Sequence, residues 1–268
     1  MVPAAAYVYA PPNVYILLAG ALLLSLAQFL KYVSFGKLHD PLETEGEPLK
    51  ILQVNVLKTN QDTARLRALI AEEKPDLIVA AEVNGKFALM FSDLSRDYPH
   101  QLVEPREDRY GMAVASRLPF TAAELLCLSV KKSVAMAFGI RHAGVEISFL
   151  SLHPPTPNRN LRARDQEFDR AVKHFGPRRD SIIVLGDLNA SPYCPAYKKL
   201  LRRLSLRNAR DGNGLCGSFP VFLPTPLLRL PIDHVLVSAN LQVHEFRLGP
   251  HIGSDHFPTI TQVSVING

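Results

Sequence analysis

The residues of this sequence that could do chemistry are acids, amides and histidines at the ends of short apolar runs. Asp187 and Asn189 follow the branched apolar run 181–185 directly after a glycine, and His153 ends the run 147–152. The whole set comprises Asn55, Glu82, His153, Asp187, Asn189, Asp233 and His256, with His234 and Asp255 beside the last two. A carboxylate at the edge of an apolar strand is costly unless it is paired or binds a metal. Because strand ends meet at one rim of a layered sheet, we expect these side chains to converge.

Each member has a simpler explanation when it is taken alone. Asp187 and Asn189 are as typical of an Asx turn as of a site. A lone His153 is more often a structural histidine, and Asp233 followed by His234 is compatible with a hydrogen-bonded pair in the core. The recurrence of such residues in six segments is what favours a site.

The residue types restrict the chemistry. Carboxylate and amide oxygens are hard ligands that suit Mg²⁺ or Mn²⁺, and histidine stabilises charge on a phosphoryl oxygen or moves a proton. The sequence has no GxSxG serine, no GxxxxGK[ST] phosphate loop and no HExxH zinc motif. Its three cysteines, Cys127, Cys194 and Cys216, are too scattered for a disulfide framework or a zinc site. The set therefore favours metal-assisted attack of water on a phosphate ester.

The elements that must position these residues alternate along the chain. Strand patterns occupy residues 49–56, 76–83, 111–116, 134–140, 145–152, 182–185, 232–237 and 260–265. Asp62 is placed to cap a first helix, and further helical patterns cover 158–175 and 195–204. This order predicts a layered α/β sandwich in one domain over residues 49–268.

The first 37 residues differ from the rest of the chain. Residues 14–30 carry no charge and are long enough to cross a bilayer as a helix. Residues 1–37 are therefore predicted to form a single-pass membrane anchor and residues 38–48 a polar linker, although a buried core helix and a secretory signal stay open. Because Lys31 and Lys37 follow the run, the positive-inside rule places the remainder in the cytoplasm, with an extracytoplasmic location still open.

The motifs, taken in order, resemble a known family. They are Gln53-Val-Asn55, Ala81-Glu82, Ser151-Leu-His153, Gly186-Asp-Leu-Asn189, Ile232-Asp-His234 and Gly253-Ser-Asp-His256. Over about residues 49–266 the chain resembles the endonuclease/exonuclease/phosphatase superfamily, the group of DNase I and sphingomyelinase, and most of all its small bacterial membrane-attached branch. The resemblance implies an α/β (α+β) fold, a four-layered sandwich of two packed mixed β-sheets flanked by helices, here preceded by one transmembrane helix.

The resemblance also implies roles for the acids and amides. Glu82 would be the main metal ligand, with Asn55 beside it and Asp255 in a metal-binding or supporting position. Asp187 would orient or deprotonate the attacking water. Asn189 would hold a phosphate oxygen.

The resemblance assigns the histidines to the transition state. His153 and His256 would stabilise the pentavalent phosphorus, and Asp233 would fix the tautomer and charge of His256. Tyr110 and Arg162 are candidates for substrate contact, although core packing explains the tyrosine equally well and a solvated helix face explains the arginine.

Together these features predict a membrane-anchored, Mg²⁺- or Mn²⁺-dependent hydrolase that cuts a phosphodiester or phosphomonoester, with nuclease-like activity favoured. The chain has 268 residues and a formal net charge of +5, which is compatible with nucleic acid. A phospholipid or phosphoinositide head group is the alternative substrate, because an anchor would hold the site near a bilayer. The apolar segment 219–231 either touches lipid or covers the core, and His234 is interpreted as structural. A non-catalytic membrane-tethered binding module is a second alternative, and no protein partner is predicted.

Overall fold

Two packed six-stranded sheets make up the fold. The computed structural model describes residues 14–20, 22–23, 44–128, 133–176 and 181–266. The strands are β1 (Thr44–Asn55), β2 (Leu77–Ala81), β3 (His100–Glu104), β4 (Met112–Ser116), β5 (Phe120–Cys127), β6 (Val134–His142), β7 (Val145–Ser151), β8 (Ile182–Asp187), β9 (Leu206–Asn208), β10 (Asp233–Ser238), β11 (Leu241–Leu248) and β12 (Thr259–Ile266). The helices are α1 (Thr63–Glu73), α2 (Gly85–Asp93), α3 (Pro157–Phe175) and α4 (Pro195–Leu204), and a 3₁₀ turn covers Pro226–Leu228.

Each sheet is mixed and contains one parallel pair. The first sheet has the order β11-β12-β1-β2-β4-β3, and the second has the order β5-β6-β7-β8-β10-β9. β1 and β2 run parallel with α1 in the crossover between them, and β7 and β8 run parallel with α3 between them. The other neighbouring strands in these sheets are antiparallel. The two halves of the chain therefore repeat one arrangement.

Alternating side chains place each sheet between two apolar layers. In β8, Ile183 and Leu185 pack against the other sheet, whereas Ile182 and Val184 pack toward α3 and α4. The outer face of the first sheet is covered in the same way by α1 and α2. The predicted architecture, two packed mixed sheets flanked by helices, is confirmed.

Strand direction brings the predicted site residues to one rim. β1 and β8 end at Asn55 and Asp187, β2 ends one residue before Glu82, and β7 ends two residues before His153. β10 runs antiparallel to β8 with Asp233 opposite Asp187, and β12 runs antiparallel to β1 with Thr259 opposite Gln53. The first residues of β10 and β12 therefore lie at the same rim as the ends of the parallel strands.

The sequence pattern does not predict β3, β5, β9, β11 or α2. β5 is mostly exposed and contains two alanines, and the alternation of β11 is interrupted by a register shift between Val243 and Glu245. The helix cap at Asp62 is confirmed, since its side chain accepts hydrogen bonds from two backbone N–H groups of α1. β1 begins at Thr44, inside the segment predicted as a linker, because its first two residues pair with Ile266 and Val265 of β12.

The N-terminal run is helical over residues 14–20 and 22–23, and its large apolar side chains there are exposed. Within the described ranges, no helix is both long and apolar enough to cross a membrane. Most of the predicted anchor, residues 1–13, 21 and 24–37, lies outside the described residues. The transmembrane helix therefore stays a prediction.

Gly186 occupies a position at the rim that allows no side chain. Its φ of +132° is rare for L-residues, and a Cβ there would lie 2.1 Å from the carbonyl oxygen of Leu152. We expect Gly186→Ala to lower the free energy of unfolding, measured by urea titration, by roughly 3 kcal/mol or more. Gly144→Ala is the matched control, since Gly144 also has a positive φ but no described atom would lie within 4 Å of its Cβ. The control should cost only about 1 kcal/mol, and equal losses would contradict the steric explanation.

Candidate active site

Glu82 and Asp187 lie on either side of the Asn55 amide. Nδ2 of Asn55 donates to Oδ2 of Asp187 at 3.1 Å and lies 3.5 Å from Oε1 of Glu82. Oδ1 of Asn55 accepts from the backbone N–H of Leu57, and Oε2 of Glu82 accepts from the backbone N–H of Lys58. All three site residues are buried. Asn55 thus joins a carboxylate of the first sheet to a carboxylate of the second.

Two site residues have left-handed backbone conformations. Glu82 has a φ of +60° and Asn189 a φ of +48°. Asparagine tolerates this region, but for glutamate it costs on the order of 1 kcal/mol or more. The conformation of Glu82 is maintained by its carboxylate bond to Lys58 and by the hydrogen bond from Val83 N–H to the carbonyl oxygen of Gly111. Strain of this kind concentrates at functional sites.

His256 is fixed by a chain of buried hydrogen bonds. Its Nδ1 lies 2.7 Å from Oδ2 of Asp233, and Oδ1 of Asp233 accepts from Nε2 of Gln53 at 2.9 Å. The hydroxyl of Thr259 donates to Oε1 of Gln53 at 2.8 Å and so sets the orientation of that amide. Because a carboxylate only accepts, Nδ1 of His256 carries a proton. Nε2 of the ring is left to face Asp187 at 3.7 Å.

The charges of the site shift its ionisation. Burial alone favours a neutral ring, but the charges of Asp233 and Asp187 outweigh it and raise the pKa of His256 to about 10. His153 has Nε2 3.5 Å from Oδ2 of Asp187, and its pKa is also raised despite its burial. Burial likewise opposes the charge of Asp187, yet His256 and His153 hold the pKa of Asp187 well below its usual range. The carboxylate of Asp187 therefore lies between two imidazole rings whose pKa values are both raised, and the ring of His256 is charged at neutral pH.

The turn after β8 positions Asn189. Its N–H donates to Oδ1 of Asp187 at 3.0 Å, and its Nδ2 donates to the carbonyl oxygen of Pro154 at 3.0 Å. The buried guanidinium of Arg164 donates to the carbonyl oxygen of Asn189 at 3.2 Å and also contacts Sγ of Cys194. The Asx turn and the site, which the sequence left as alternatives, are thus both present. The turn orients the side chains of Asp187 and Asn189.

The site opens into a cleft of about 610 Å³. Of the predicted residues, the cleft is lined by Glu82, His153, Asp187, Asn189, Asp255, His256 and Tyr110. The ring of Phe219 packs beside that of His256 with centroids 4.7 Å apart, and the ring of Tyr110 lies 6.1 Å from that of His153. Asp255 has Oδ1 4.0 Å from Nε2 of His256, and burial raises the pKa of this carboxyl group.

The predicted substrate contact of Arg162 is not supported. Arg162 is exposed on α3 and is not among the residues that line the cleft, whereas Arg164 is. Successive helical residues are rotated by about 100°, so side chains two positions apart point in very different directions. The solvated helix face is the interpretation that fits Arg162.

His234 is structural, as predicted. It follows Asp233 on β10 and therefore faces the opposite side of the sheet. Its Nε2 lies 2.8 Å from the carbonyl oxygen of Ala190, and its Nδ1 lies 2.9 Å from Nδ2 of Asn208. Burial lowers the pKa of His234 to about 4. The ring is thus neutral, with Nε2 donating to Ala190 and Nδ1 accepting from Asn208.

The donor set of the rim fits a divalent cation. Four carboxyl groups, those of Glu82, Asp187, Asp233 and Asp255, face only two imidazole rings, so a cation reduces the net negative charge. Ligand atoms of Asp187, Asp233 and His256 lie within 4.8 Å of one another, close enough to hold a metal. Both oxygens of Asp233 already accept hydrogen bonds, however, whereas Oε1 of Glu82 has only contacts of 3.5 and 3.9 Å. Glu82 is therefore the better-placed ligand.

Gln53 is the functional residue to which the sequence motif assigned no role. It stands two residues before Asn55 on β1, so both side chains share one face of the strand. A buried amide on that face, where apolar residues are expected, is the signal that identifies it. Its partner Asp233 is 180 positions away in the chain, which no local pattern predicts.

The neutral state of His234 makes stability depend on pH. Its pKa is about 4 in the folded chain and about 6.5 in an unfolded one, so the unfolded state binds the extra proton between these values. This ring should therefore cost the fold up to about 3 kcal/mol as pH falls from about 6.5 to 4. His234→Gln keeps a donor and an acceptor but cannot ionise. We expect urea unfolding from pH 7 to pH 4 to show a steeper loss for the wild type than for the variant, and parallel curves would contradict the assignment.

The comparisons with known proteins agree with this geometry. The sequence matches the Endonuclease/Exonuclease/phosphatase family over residues 52–256, and no curated protein sequence matches the chain. The human Nocturnin catalytic domain with bound sulfate anion has a TM-score of 0.67 at 19% identity, over 84% of this chain and 97% of that chain. D. rerio TDP2 complexed with single strand DNA product has a TM-score of 0.66 at 14% identity, over 82% and 100%.

A bacterial structure is similar to the same degree. The endonuclease/exonuclease/phosphatase from Beutenbergia cavernae has a TM-score of 0.66 at 18% identity, over 82% of this chain and 72% of that chain. At these identities the structural likeness establishes the fold alone. The family match, in contrast, covers well over half of the chain and extends through Glu82, Asp187 and His256. The chain therefore belongs to the endonuclease/exonuclease/phosphatase family, whose members are hydrolases that act on phosphate esters.

Proposed function

We propose that the protein is a divalent-metal-dependent phosphodiesterase that uses water as its nucleophile. The observation that carries this proposal is the convergence of Glu82, Asp187, His153 and His256 on one cleft, with carboxylate–imidazole contacts of 3.5, 3.7 and 3.9 Å. Membership in a family of phosphate-ester hydrolases supports it. The same residues could also act on a phosphomonoester, which differs from a phosphodiester in carrying one more ionisable oxygen.

Glu82, with Asn55 beside it, would hold the cation, and Asp255, whose Oδ1 lies 4.0 Å from Nε2 of His256, would hold or support it as well. Mg²⁺ or Mn²⁺ bound there supplies Lewis acidity toward a phosphoryl oxygen. The hard oxygen donors and the excess of carboxyl groups support these two ions over softer metals.

Asp187 suits orientation of the attacking water better than removal of its proton. Its pKa is lowered by the neighbouring rings of His256 and His153, which makes it a weak base. Its Oδ1 is held by the N–H of Asn189 and its Oδ2 by Asn55. A fixed, charged acceptor of this kind aligns a water molecule for in-line attack.

His153 and His256 would donate from Nε2 to phosphoryl oxygens as negative charge develops on them. Asp233 keeps His256 charged and fixes its orientation through Nδ1. The amide of Asn189 carries two N–H bonds, of which the described contacts use one. The other would donate to the remaining phosphoryl oxygen.

Both substrate classes that the sequence suggests contain the required diester. Nuclease-like activity is supported by the TDP2 structure, which holds a single strand DNA product, and the sulfate in Nocturnin is consistent with anion binding by this fold. A phospholipid head group is favoured by a different observation, the exposure of apolar side chains at residues 222–230. The proposed roles of the rim residues apply equally to a nucleic-acid phosphodiester and to a phospholipid phosphodiester.

We also infer that the uncharged run 14–30 anchors the protein in a membrane by a single pass, with the catalytic domain in the cytoplasm. The exposed apolar side chains of residues 15–18, 22 and 23 support the anchor, and Lys31 and Lys37 support the orientation. Release of the full-length chain from membranes by alkaline carbonate would contradict the anchor. Cleavage of the domain by protease added outside intact cells would contradict the orientation.

Hydrolysis of bis-p-nitrophenyl phosphate tests the activity. We expect the wild type to require Mg²⁺ or Mn²⁺ and to lose activity in EDTA. Asp187→Ala and His256→Ala should each lower kcat/KM by roughly a thousandfold, because each removes a group that acts only in the transition state. Asp233→Asn should lower kcat/KM about a hundredfold, since a loss of about two pKa units at His256 corresponds to about 3 kcal/mol.

The pH profile and a surface variant provide the controls. His256 keeps its proton up to about pH 10, so the alkaline decline in rate should begin at a lower pH in Asp233→Asn than in the wild type. Asp97→Ala removes an exposed aspartate in a turn and should leave the rate unchanged. A wild type without metal-dependent activity on any phosphate ester would favour the binding-module alternative.

A further inference from the structure

The loop of residues 219–230, termed here the apolar loop, exposes large apolar side chains next to the cleft. Phe222 is 79% exposed, Leu227 60%, Leu228 58% and Leu230 51%. In the domain over residues 44–266, as far as it is described, only four other large apolar residues are comparably exposed, and they are scattered. Single exposed leucines are ordinary, but a cluster marks an interaction surface.

The apolar loop is held in place by its own hydrogen bonds. Phe219 and Leu230 form an isolated antiparallel bridge that closes its two ends. Inside the loop, Nε of Arg229 donates to the carbonyl oxygen of Leu223 at 2.9 Å, and a 3₁₀ turn carries Leu227 and Leu228. The exposure of these side chains is therefore a property of an ordered loop.

The apolar loop does not cover the core. None of residues 219–230 belongs to the three apolar clusters formed by the described residues. This finding removes one of the two explanations that the sequence left open for this segment. The loop is instead continuous with the cleft, because Phe219 and Leu230 line it.

The apolar loop is also connected to the catalytic histidine. The N–H of Val221 donates to the carbonyl oxygen of Asp255, and the N–H of Phe257 donates to the carbonyl oxygen of Ser218. These two bonds flank His256 on both sides. A molecule or surface bound to the apolar loop therefore lies beside the opening of the cleft.

We propose that the apolar loop inserts Phe222, Leu227 and Leu228 into a lipid surface and so presents the cleft to phosphodiesters at that surface. Residues 212–232 contain no acidic residue and one cation, Arg229, a charge pattern compatible with lipid head groups. The exposed apolar side chains of residues 15–18, 22 and 23 need an apolar environment as well. One bilayer accounts for both surfaces, whereas a nucleic acid accounts for neither.

The chain between the N-terminal run and the rim is long enough for the run and the apolar loop to contact the same membrane. β1 runs from Thr44 to the rim over 12 residues, a distance of roughly 40 Å. Residues 31–43 can extend to at most about 45 Å. An anchor that ends at Lys31 thus leaves enough chain for the rim to reach the same bilayer. The delivery of a lipid diester to the cleft rests on the proposed function, but insertion of the loop does not.

The absence of tryptophan from the sequence permits a site-specific test on the full-length chain. Phe222→Trp places the only indole in the apolar loop, and Leu89→Trp places it on α2, where Leu89 is 69% exposed and is not among the residues that line the cleft. Both variants are reconstituted with phosphatidylcholine vesicles whose acyl chains are brominated or unbrominated. We expect a blue-shifted emission and quenching by about half or more in Phe222→Trp, and neither effect in Leu89→Trp.

Three results would overturn the proposal. Equal quenching in the two variants would show that the loop has no special contact with lipid. A blue shift of Phe222→Trp without vesicles that grows with protein concentration would show that a second copy of the chain covers the loop. Quenching by a single-stranded oligonucleotide but not by brominated lipid would assign the loop to nucleic acid.

Hydrolysis separates this proposal from the proposed function. In Leu227→Ser/Leu228→Ser, the ratio of activity on a phospholipid diester in vesicles to activity on bis-p-nitrophenyl phosphate should fall by about tenfold or more. An unchanged ratio would overturn the delivery of lipid diesters by the loop. A wild type that hydrolyses neither ester would instead overturn the proposed function, and the indole quenching would still decide whether the loop inserts.

Discussion

The hydrogen bond between Asp233 and His256 is the contact on which the rim depends. It joins the first residue of β10 in one sheet to the segment before β12 in the other, and it is 2.7 Å long and buried. A buried carboxylate without a partner costs several kcal/mol, so the two sheets must be aligned closely enough for the ring to meet it. The registers do this: Asp233 stands opposite Asp187 in one sheet, and Thr259 stands opposite Gln53 in the other. The apolar layer between the sheets keeps this alignment.

Two buried histidines near this hydrogen bond have pKa values shifted in opposite directions. The ring of His256 meets carboxylates, and its pKa is raised to about 10. The ring of His234, which follows Asp233 on the other face of β10, meets an amide and a carbonyl, and its pKa is lowered to about 4. Both rings are buried, so burial alone cannot explain the difference. The alternation of a strand is what gives one histidine a charge and the other a structural role.

Much of the rim could be predicted from the sequence, because strand ends are local features. A buried apolar run that ends in Asp187 and Asn189, or in His153, indicates both the strand and its direction, and the directions of the parallel strands imply a common rim. The hydrogen-bond partner of a buried side chain cannot be predicted in this way. Gln53 meets Asp233 across 180 positions and Arg164 meets Asn189 across 25, and both depend on how the layers pack. β11 was missed for a local reason, since its register shift at Val243 breaks the alternation by which a strand is recognised.

The apolar loop shows why exposure is harder to predict than burial. Its sequence is rich in leucine and proline and is compatible with a core segment as well as with a surface one. Three prolines, Pro220, Pro224 and Pro226, restrict its backbone and offer no N–H to a sheet, which disfavours pairing with β10 or the strands beside it. It closes on itself through Phe219 and Leu230 instead, and Phe222, Leu227 and Leu228 are left exposed. On the proposed function the rim would bind a phosphodiester whatever its source, so selection of the substrate would fall to the surface beside the cleft, where this chain exposes the apolar loop.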